Sequence, residues 1–542
     1  MEKQMLPIQI NKRYPYKLLT GITISISLAC LANVGMAQEI NTFNTSVYTN
    51  TEFTLIKTWQ NDKVYNRGDK VHHNNILYVA KWWTQGEEPK ASPTGPWERL
   101  DNNDDEVPGN PEPGTTTPDT GSSGTDQYRV VGYYMLGPDE INKYPSVDFP
   151  VSNITPEKSN MLTHINFAFI GINEEGQCDL LEGTNQTKAA DVFKQLNTLK
   201  QYNPKLKLMF SVGGWAFSND ASPTVNRFRQ AAASDAARKR MVSSCIQLMK
   251  KYDFNGIDLD WEYPRKSDTQ NFIALLREFR QQISLHELQD AADYQLTIAG
   301  AGGAFFLSRY YANLEEVVAP LDFINLMTYD FNGPWQGVTK TNFHAHLFGG
   351  KDEPKYYNAL REVIFNPPKT WEEIKNLFPS PFALTTDAAI HQHLIMNIPK
   401  DKIVMGVPFY GRAFKEVGSA NNGLYQPFNT PGGDPYVGDP TWLIGCEKCI
   451  ERNEPRIATY ADIKKMLAGS FGYQRFFHSE TKAPWLYNAN HNLFVTYDDA
   501  DSLTIKADYI KNNQLGGVMF WHLGQDDTDG TLLRTLHNSL KK

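Results

Sequence analysis

From Tyr128 onward, short apolar blocks alternate with longer stretches in which apolar residues recur at helical spacing. Eight of the blocks read as strands: Arg129–Tyr134, His164–Ile170, Leu206–Gly214, one within Phe254–Pro264, Gln295–Gly300, Phe323–Asp330, Ile403–Tyr410 and Gly516–Trp521. Between the fourth and fifth, Phe272, Leu275, Leu276, Phe279 and Ile283 mark one face of a helix running from Asp268 to about Leu285. Strands that alternate with helices in this way predict an α/β protein, a (β/α)8 TIM barrel. The gap between strands seven and eight is too long for one helix. Residues about 413–497, rich in Gly, Pro, Tyr and Trp, predict an inserted α+β subdomain forming one wall of a groove.

Upstream the pattern changes. Residues 44–100 hold two strand-like runs, Lys63–Val71 and Ile76–Trp83, separated by turn residues, and predict a small all-β unit. Its tryptophans, Trp59, Trp82, Trp83 and Trp97, are more than so short a segment can hide, so one or two rings are expected on its surface. Residues 101–126 are rich in Pro, Gly, Thr, Ser and acids, lack apolar periodicity, and predict a disordered linker; the barrel takes 127–542. At the start of the chain, Lys12, Arg13 and Lys17 precede an apolar run from Leu18 to Ala32, and then Gly35-Met36-Ala37. That is the pattern of a signal peptide, residues 1–37, and predicts a secreted protein with no membrane segment after cleavage. Cys30 leaves a lipoprotein as the alternative, against which Ser27 stands in place of leucine.

The fourth strand carries the candidate chemistry. Ile257, Leu259 and Trp261 alternate with Asp258, Asp260 and Glu262, so three carboxylates share one face and three apolar side chains the other. In a sheet covered by helices, the acids face the barrel interior or its mouth. Like charges crowded in a partly dry place cannot all ionise, so one carboxyl keeps its proton near neutrality, as a general acid requires. Glu262, beside Pro264 at the C-terminal rim, is the expected proton donor, Asp260 its partner, and Asp258 the deeper charge. A calcium or magnesium site and a solvated acidic edge are the alternatives. Other strand ends add polar and aromatic groups: Ser211 and Trp215 on the third, Met327, Tyr329 and Asp330 on the sixth, Tyr410 and Arg412 on the seventh, and Trp521 on the eighth. Trp521 also fits a plug for the barrel.

A net charge of −8 argues against nucleic acid as a partner, while an aromatic content of 12% suits sugar rings. Of five cysteines, Cys30 leaves with the signal. Cys245 lies on the apolar face of a helix pattern and reads as core. Cys446 and Cys449 fit a local disulfide, half a zinc site or free thiols, and no second pair stands at zinc spacing. His344 with His346 and His391 with His393 are close histidine pairs; neither predicts a metal site.

The run Asn255-Gly-Ile-Asp-Leu-Asp-Trp-Glu262 resembles the Asp-x-x-Asp-x-Asp-x-Glu signature of family 18 glycoside hydrolases, the chitinases, with Asn255 in place of the first Asp. Asn255 is expected to tune structure rather than abolish activity. The Ser-x-Gly-Gly, Met-x-Tyr-Asp and Gly-Val-Pro-Phe-Tyr-Gly-Arg runs match as well, and Gly300–Tyr310 and Val518–Asp526 resemble the chitinase B-type processive exochitinases. Residues 44–100 resemble the carbohydrate-binding modules of chitinases, which would make Tyr65, Trp82 and Trp83 the chitin platform. The binding module follows the barrel in those exochitinases and precedes it here. The resemblance implies hydrolysis of β-1,4 bonds between N-acetylglucosamine units of chitin, with retention through an oxazolinium ion formed by the substrate's own acetamido group. Glu262, Asp260, Asp258, Tyr329 and Asp330 would be catalytic. Trp521, Trp215, Trp335, Met327, Tyr410, Arg412, Tyr133 and Ser211 would hold sugar. It implies no cofactor, no metal, chitin and its oligomers as partners, and a monomer. An endo-β-N-acetylglucosaminidase acting on glycoprotein glycans, or a chitin-binding lectin or adhesin, are the rival readings.

Overall fold

The computed structural model describes residues 59–66, 69–73, 76–80, 84–90, 96–99, 128–136, 149–303, 313–335, 338–350, 352, 384–429, 439–451 and 454–541. The predicted signal peptide, the linker, Trp82 and Trp83 lie outside them. The chain divides into two units, Met1–Asn102 and Asn103–Lys542.

In the first unit, β1 (Val64–Tyr65) pairs with β4 (Thr84–Gln85), and β2 (Lys70–His73), β3 (Ile76–Ala80) and β5 (Trp97–Arg99) form a three-stranded antiparallel sheet. Tyr65, Val71, Tyr78, Ala80 and Trp97 make its core, with Trp59 packed against them. This corrects the reading of Tyr65 as a sugar platform. Its ring is 7% exposed and packs edge-on against Trp97, and its hydroxyl accepts a hydrogen bond from the Gln60 N–H at 2.6 Å.

The second unit contains the barrel. Its strands are β6 (Arg129–Met135), β7 (His164–Ile172), β9 (Lys207–Gly213), β10 (Gly256–Asp260), β11 (Gln295–Ala301), β12 (Phe323–Met327), β13 (Ile403–Pro408) and β19 (Gly517–Trp521). All eight run parallel and close, because β6 pairs with both β19 and β7. The short β8 (Cys178–Leu180) folds back antiparallel on β7. Ile257, Leu259 and Trp261 face the helix layer, where Trp261 stacks on Phe228 at 5.1 Å. Ser234 caps the helix Asp235–Lys251 by accepting from the Ala237 N–H.

Cys245 sits on the buried face of that helix, but it is not a free core thiol. It is bonded to Cys178 on β8. The bond closes a loop of 67 residues. Its loss through paired Cys178→Ser and Cys245→Ser changes is expected to cost about 4 kcal/mol by chain entropy, measured as a lower urea midpoint with a steeper slope, because the denatured chain expands. Cys446 and Cys449 form the second disulfide. The Asp462 carboxylate beside them closes a capping box on Thr459.

Between β13 and β19 lies a five-stranded antiparallel sheet in the order β15 (Ile457–Thr459), β14 (Tyr410–Phe414), β18 (Leu493–Thr496), β17 (Ala483–Asn488), β16 (Tyr473–His478). Strand seven therefore ends at Pro408 rather than Tyr410, and Tyr410 already belongs to the inserted sheet. No helix among the described residues is long and apolar enough to cross a membrane.

Candidate active site

The floor of the site is set by register. Asp258 on β10 lies opposite Ser211 of β9 on one side and Thr297 of β11 on the other, so the three share one layer of the barrel interior. The Asp258 carboxylate is fully buried and accepts from Tyr133 Oη at 2.8 Å, Ser211 Oγ at 2.9 Å, Thr297 Oγ1 at 2.5 Å and Asn325 Nδ2 at 3.3 Å. Burial pushes its pKa up, and the four donors pull against that. Tyr133 and Ser211, read from sequence as sugar contacts, are buried and spend their hydroxyls on Asp258. They line the inside of the barrel below the mouth.

Asp260, one step up, is also buried. Its Oδ1 has no hydrogen-bond partner. Burial first, then the charges of Glu262 and Asp258, raise its pKa well above the usual carboxylate range. Glu262 stands just beyond the strand end. Its backbone N–H donates to Ser218 Oγ at 2.9 Å, and the Gly214 N–H holds the Asp260 carbonyl at 2.8 Å. Gly213 has a positive φ, and a Cβ there would meet the Asp260 carbonyl oxygen at 2.4 Å. Only glycine lets β9 approach this closely. Burial raises the Glu262 carboxyl to about 7, assisted by the Asp330 charge and opposed by hydrogen bonds from Tyr263, Asp260 and the Trp215 N–H. Two adjoining carboxyls with raised pKa values hold a proton between them near neutrality.

Across the mouth, Arg412 of β14 grips Asp330 with two parallel hydrogen bonds, Nε to Oδ1 at 2.8 Å and Nη2 to Oδ2 at 2.7 Å. That guanidinium keeps the Asp330 carboxyl ionised, well below the ordinary range despite its partial burial. It also lies 5.2 Å from the Trp335 ring centre and 5.3 Å from that of Tyr410. Tyr329 is half-buried, with its hydroxyl 3.8 Å from Met519 Sδ and its ring beside Tyr410. Trp521 ends β19, stacked on Phe169 at 5.6 Å and tilted against Tyr133. Met327, Tyr329 and Trp521 pack on the same apolar cluster inside the barrel. Trp215 and Trp335 are 48% and 38% exposed, more than packing requires of rings that size.

Sequence reading missed Thr297 and Asn325, which share Asp258, Ser218, which holds the Glu262 backbone, and His344, which faces Asp330. Strand periodicity alternates side chains between two faces but gives no level within the barrel. Asn255 sits at the far end of β10, its Oδ1 accepting from the Leu208 N–H at 3.1 Å, in a structural position.

The model for glycosyl hydrolases family 18 matches residues 129–526, and that for carbohydrate-binding module family 5/12 matches residues 58–98. The chain belongs to the family 18 glycosyl hydrolases. Within that family it is an enzyme of the chitinase class. It is 52% identical to Chitinase B of Serratia marcescens, over 75% of this chain and 83% of that protein. Chitinase A1 of Niallia circulans is 33% identical over 77% of this chain and 58% of its own length. Among solved structures, chitinase ChiA74 from Bacillus thuringiensis superposes with a TM-score of 0.61 at 28% identity, covering 76% of this chain and 70% of that one.

Proposed function

We propose that the protein is exported and hydrolyses the β-1,4 bonds of chitin with retention, using the substrate's acetamido oxygen as nucleophile. One observation carries the reading. Glu262 is a half-buried, proton-holding carboxyl at the mouth, and the other described carboxylates beside it are engaged: Asp260 shares its proton, Asp258 is sealed under four donors, and Asp330 is clamped by Arg412. A retaining glycosidase needs an acid and a nucleophile. Asp260, the nearest second carboxyl, is held protonated by burial and by its acidic neighbours, so the nucleophile is assigned to the substrate's acetamido oxygen, as membership of family 18 implies.

In this mechanism Glu262 protonates the leaving oxygen and later draws a proton from water. Asp260 turns its unpartnered Oδ1 toward the acetamido N–H and stabilises the oxazolinium charge. Tyr329 donates to the acetamido oxygen, and Asp330 orients the distorted sugar. Trp521 floors the reacting ring, Trp215 and Trp335 stack on neighbouring sugars, and Tyr410 and Arg412 meet sugar hydroxyls.

The pH dependence follows from the sign of the Glu262 shift. The acid form is active, so raising pH through about 7 removes the proton donor. The value of kcat/KM should then fall about tenfold per pH unit on the alkaline side. A profile still flat at pH 9 would contradict the assignment.

Chitohexaose followed by proton NMR tests the reaction and its substrate class. The expected first product carries the β-anomer. An initial α-anomer overturns retention, and cleavage of a high-mannose glycoprotein without cleavage of chitohexaose overturns the substrate class.

A further inference from the structure

We propose that His344 is a positioning residue for the reaction: its Nδ1–H closes onto Asp330 Oδ1 when sugar fills the mouth and so fixes which oxygen of that carboxylate faces the substrate. The inference rests on the chitinase reading above and adds to it a residue outside the acidic strand and the strand ends.

The His344 side chain is fully buried, and its Nδ1 lies 3.6 Å from Asp330 Oδ1, just beyond hydrogen-bond length. Contacts of this kind are often long in a free enzyme and shorten in the substrate complex. Neither ring nitrogen has another hydrogen-bond partner. A buried imidazole without partners is costly, and Asp330 is the acceptor it faces. The ring is also packed against Tyr410, with centres 5.3 Å apart.

The backbone around the ring is held on several sides. The His344 carbonyl accepts from the Phe331 N–H at 2.9 Å, directly after Asp330. Asp330 itself has a φ of 57°, a left-handed conformation that is unfavourable for a non-glycine residue and needs support from its surroundings. The His344 N–H donates to Thr496 Oγ1 on β18. Behind the loop, Lys506 donates to the Ala345 carbonyl at 2.6 Å and pairs with Asp498, both side chains being sealed from water. Ser502 Oγ donates to the second Asp498 oxygen at 2.7 Å. This buried ion pair has no part in the chemistry already assigned. It braces the peptide that carries the imidazole, and so ties the helix Ala500–Asn512 to the end of β12.

The consequence for Asp330 is an asymmetric carboxylate. Oδ1 takes Arg412 Nε and the imidazole, while Oδ2 takes Arg412 Nη2 and keeps room for a sugar hydroxyl. Burial lowers the proton affinity of the ring and keeps it a neutral donor.

Three variants assayed on chitohexaose test this. His344→Phe keeps the ring shape and its packing on Tyr410; it is expected to lower kcat roughly tenfold with KM within twofold, a misplacement effect. His344→Asn restores an N–H near the Nδ1 position and should recover most of that loss. In an Asp330→Asn background, His344→Phe should add no further loss. Wild-type kcat in His344→Phe, no recovery in His344→Asn, or the same loss with and without the Asp330 carboxylate each overturns the proposal. Hydrolysis by the unaltered protein is measured alongside. Its absence defeats the chitinase reading itself, whereas hydrolysis with an indifferent His344→Phe defeats only the role of His344.

Discussion

Glu262→Gln is expected to cut the turnover of chitin oligomers by roughly a hundred- to ten-thousand-fold while leaving their binding within a few-fold of the wild type. Glutamine keeps the size of the side chain and its place beside Ser218 and Trp215, but carries no acidic proton. The Glu262 backbone is held through Ser218, independently of its carboxyl, so the fold should not register the change. Single-turnover cleavage of labelled chitohexaose measures the rate, and calorimetric titration measures the binding. Turnover within tenfold of the wild type would mean that the proton comes from another group, and the account of Asp260 as its partner would go with it.

Asp258→Ala should act on stability as well as on rate. The carboxylate is the acceptor for Tyr133, Ser211, Thr297 and Asn325 in a dry layer of the barrel. Its removal leaves these donors without a partner in a space closed to water, at a cost of roughly 3–5 kcal/mol. It also removes one of the two charges that raise the Asp260 pKa, so the proton shared at the mouth is held less firmly. Asp258→Asn keeps an acceptor oxygen and should lose less stability than the alanine variant, yet lose activity comparably. Urea unfolding and kcat separate these effects. If Asp258→Ala unfolds at the wild-type midpoint, the four hydrogen bonds are not the support described for the floor.

Much of the barrel was legible because its strands are buried on both faces and read as nearly continuous apolar runs. The acidic strand stood out because Asp258, Asp260 and Glu262 break that rule on one face alone. Depth was not legible. Ser211 and Tyr133 are on inward positions of β9 and β6, and only strand register shows that they meet Asp258 rather than sugar. Tyr65 misled for a related reason: an aromatic residue in a short strand has the same pattern whether its ring faces core or solvent. The Cys178–Cys245 bond joins residues whose separation no local pattern spans, and the apolar helix face around Cys245 looks the same with or without it. His344 lies in a loop without periodicity, and its meaning comes from Asp330, which a distant strand end delivers.

The inserted sheet has one further consequence. Its entry strand β14 and exit strand β18 are hydrogen-bonded neighbours, with Arg412 opposite Thr496. The whole excursion therefore starts and finishes at one spot on the barrel rim, like a cassette plugged into a socket. An engineer can vary its outer strands provided two ties are kept, the Thr481 carbonyl that accepts from the Leu347 N–H and the pairing of Arg475 with Asp499. The socket itself is not interchangeable, because Arg412 on β14 holds Asp330 and Thr496 on β18 holds the loop of His344. A transplant that keeps those two stubs keeps the reaction centre, and one that trims them dismantles it.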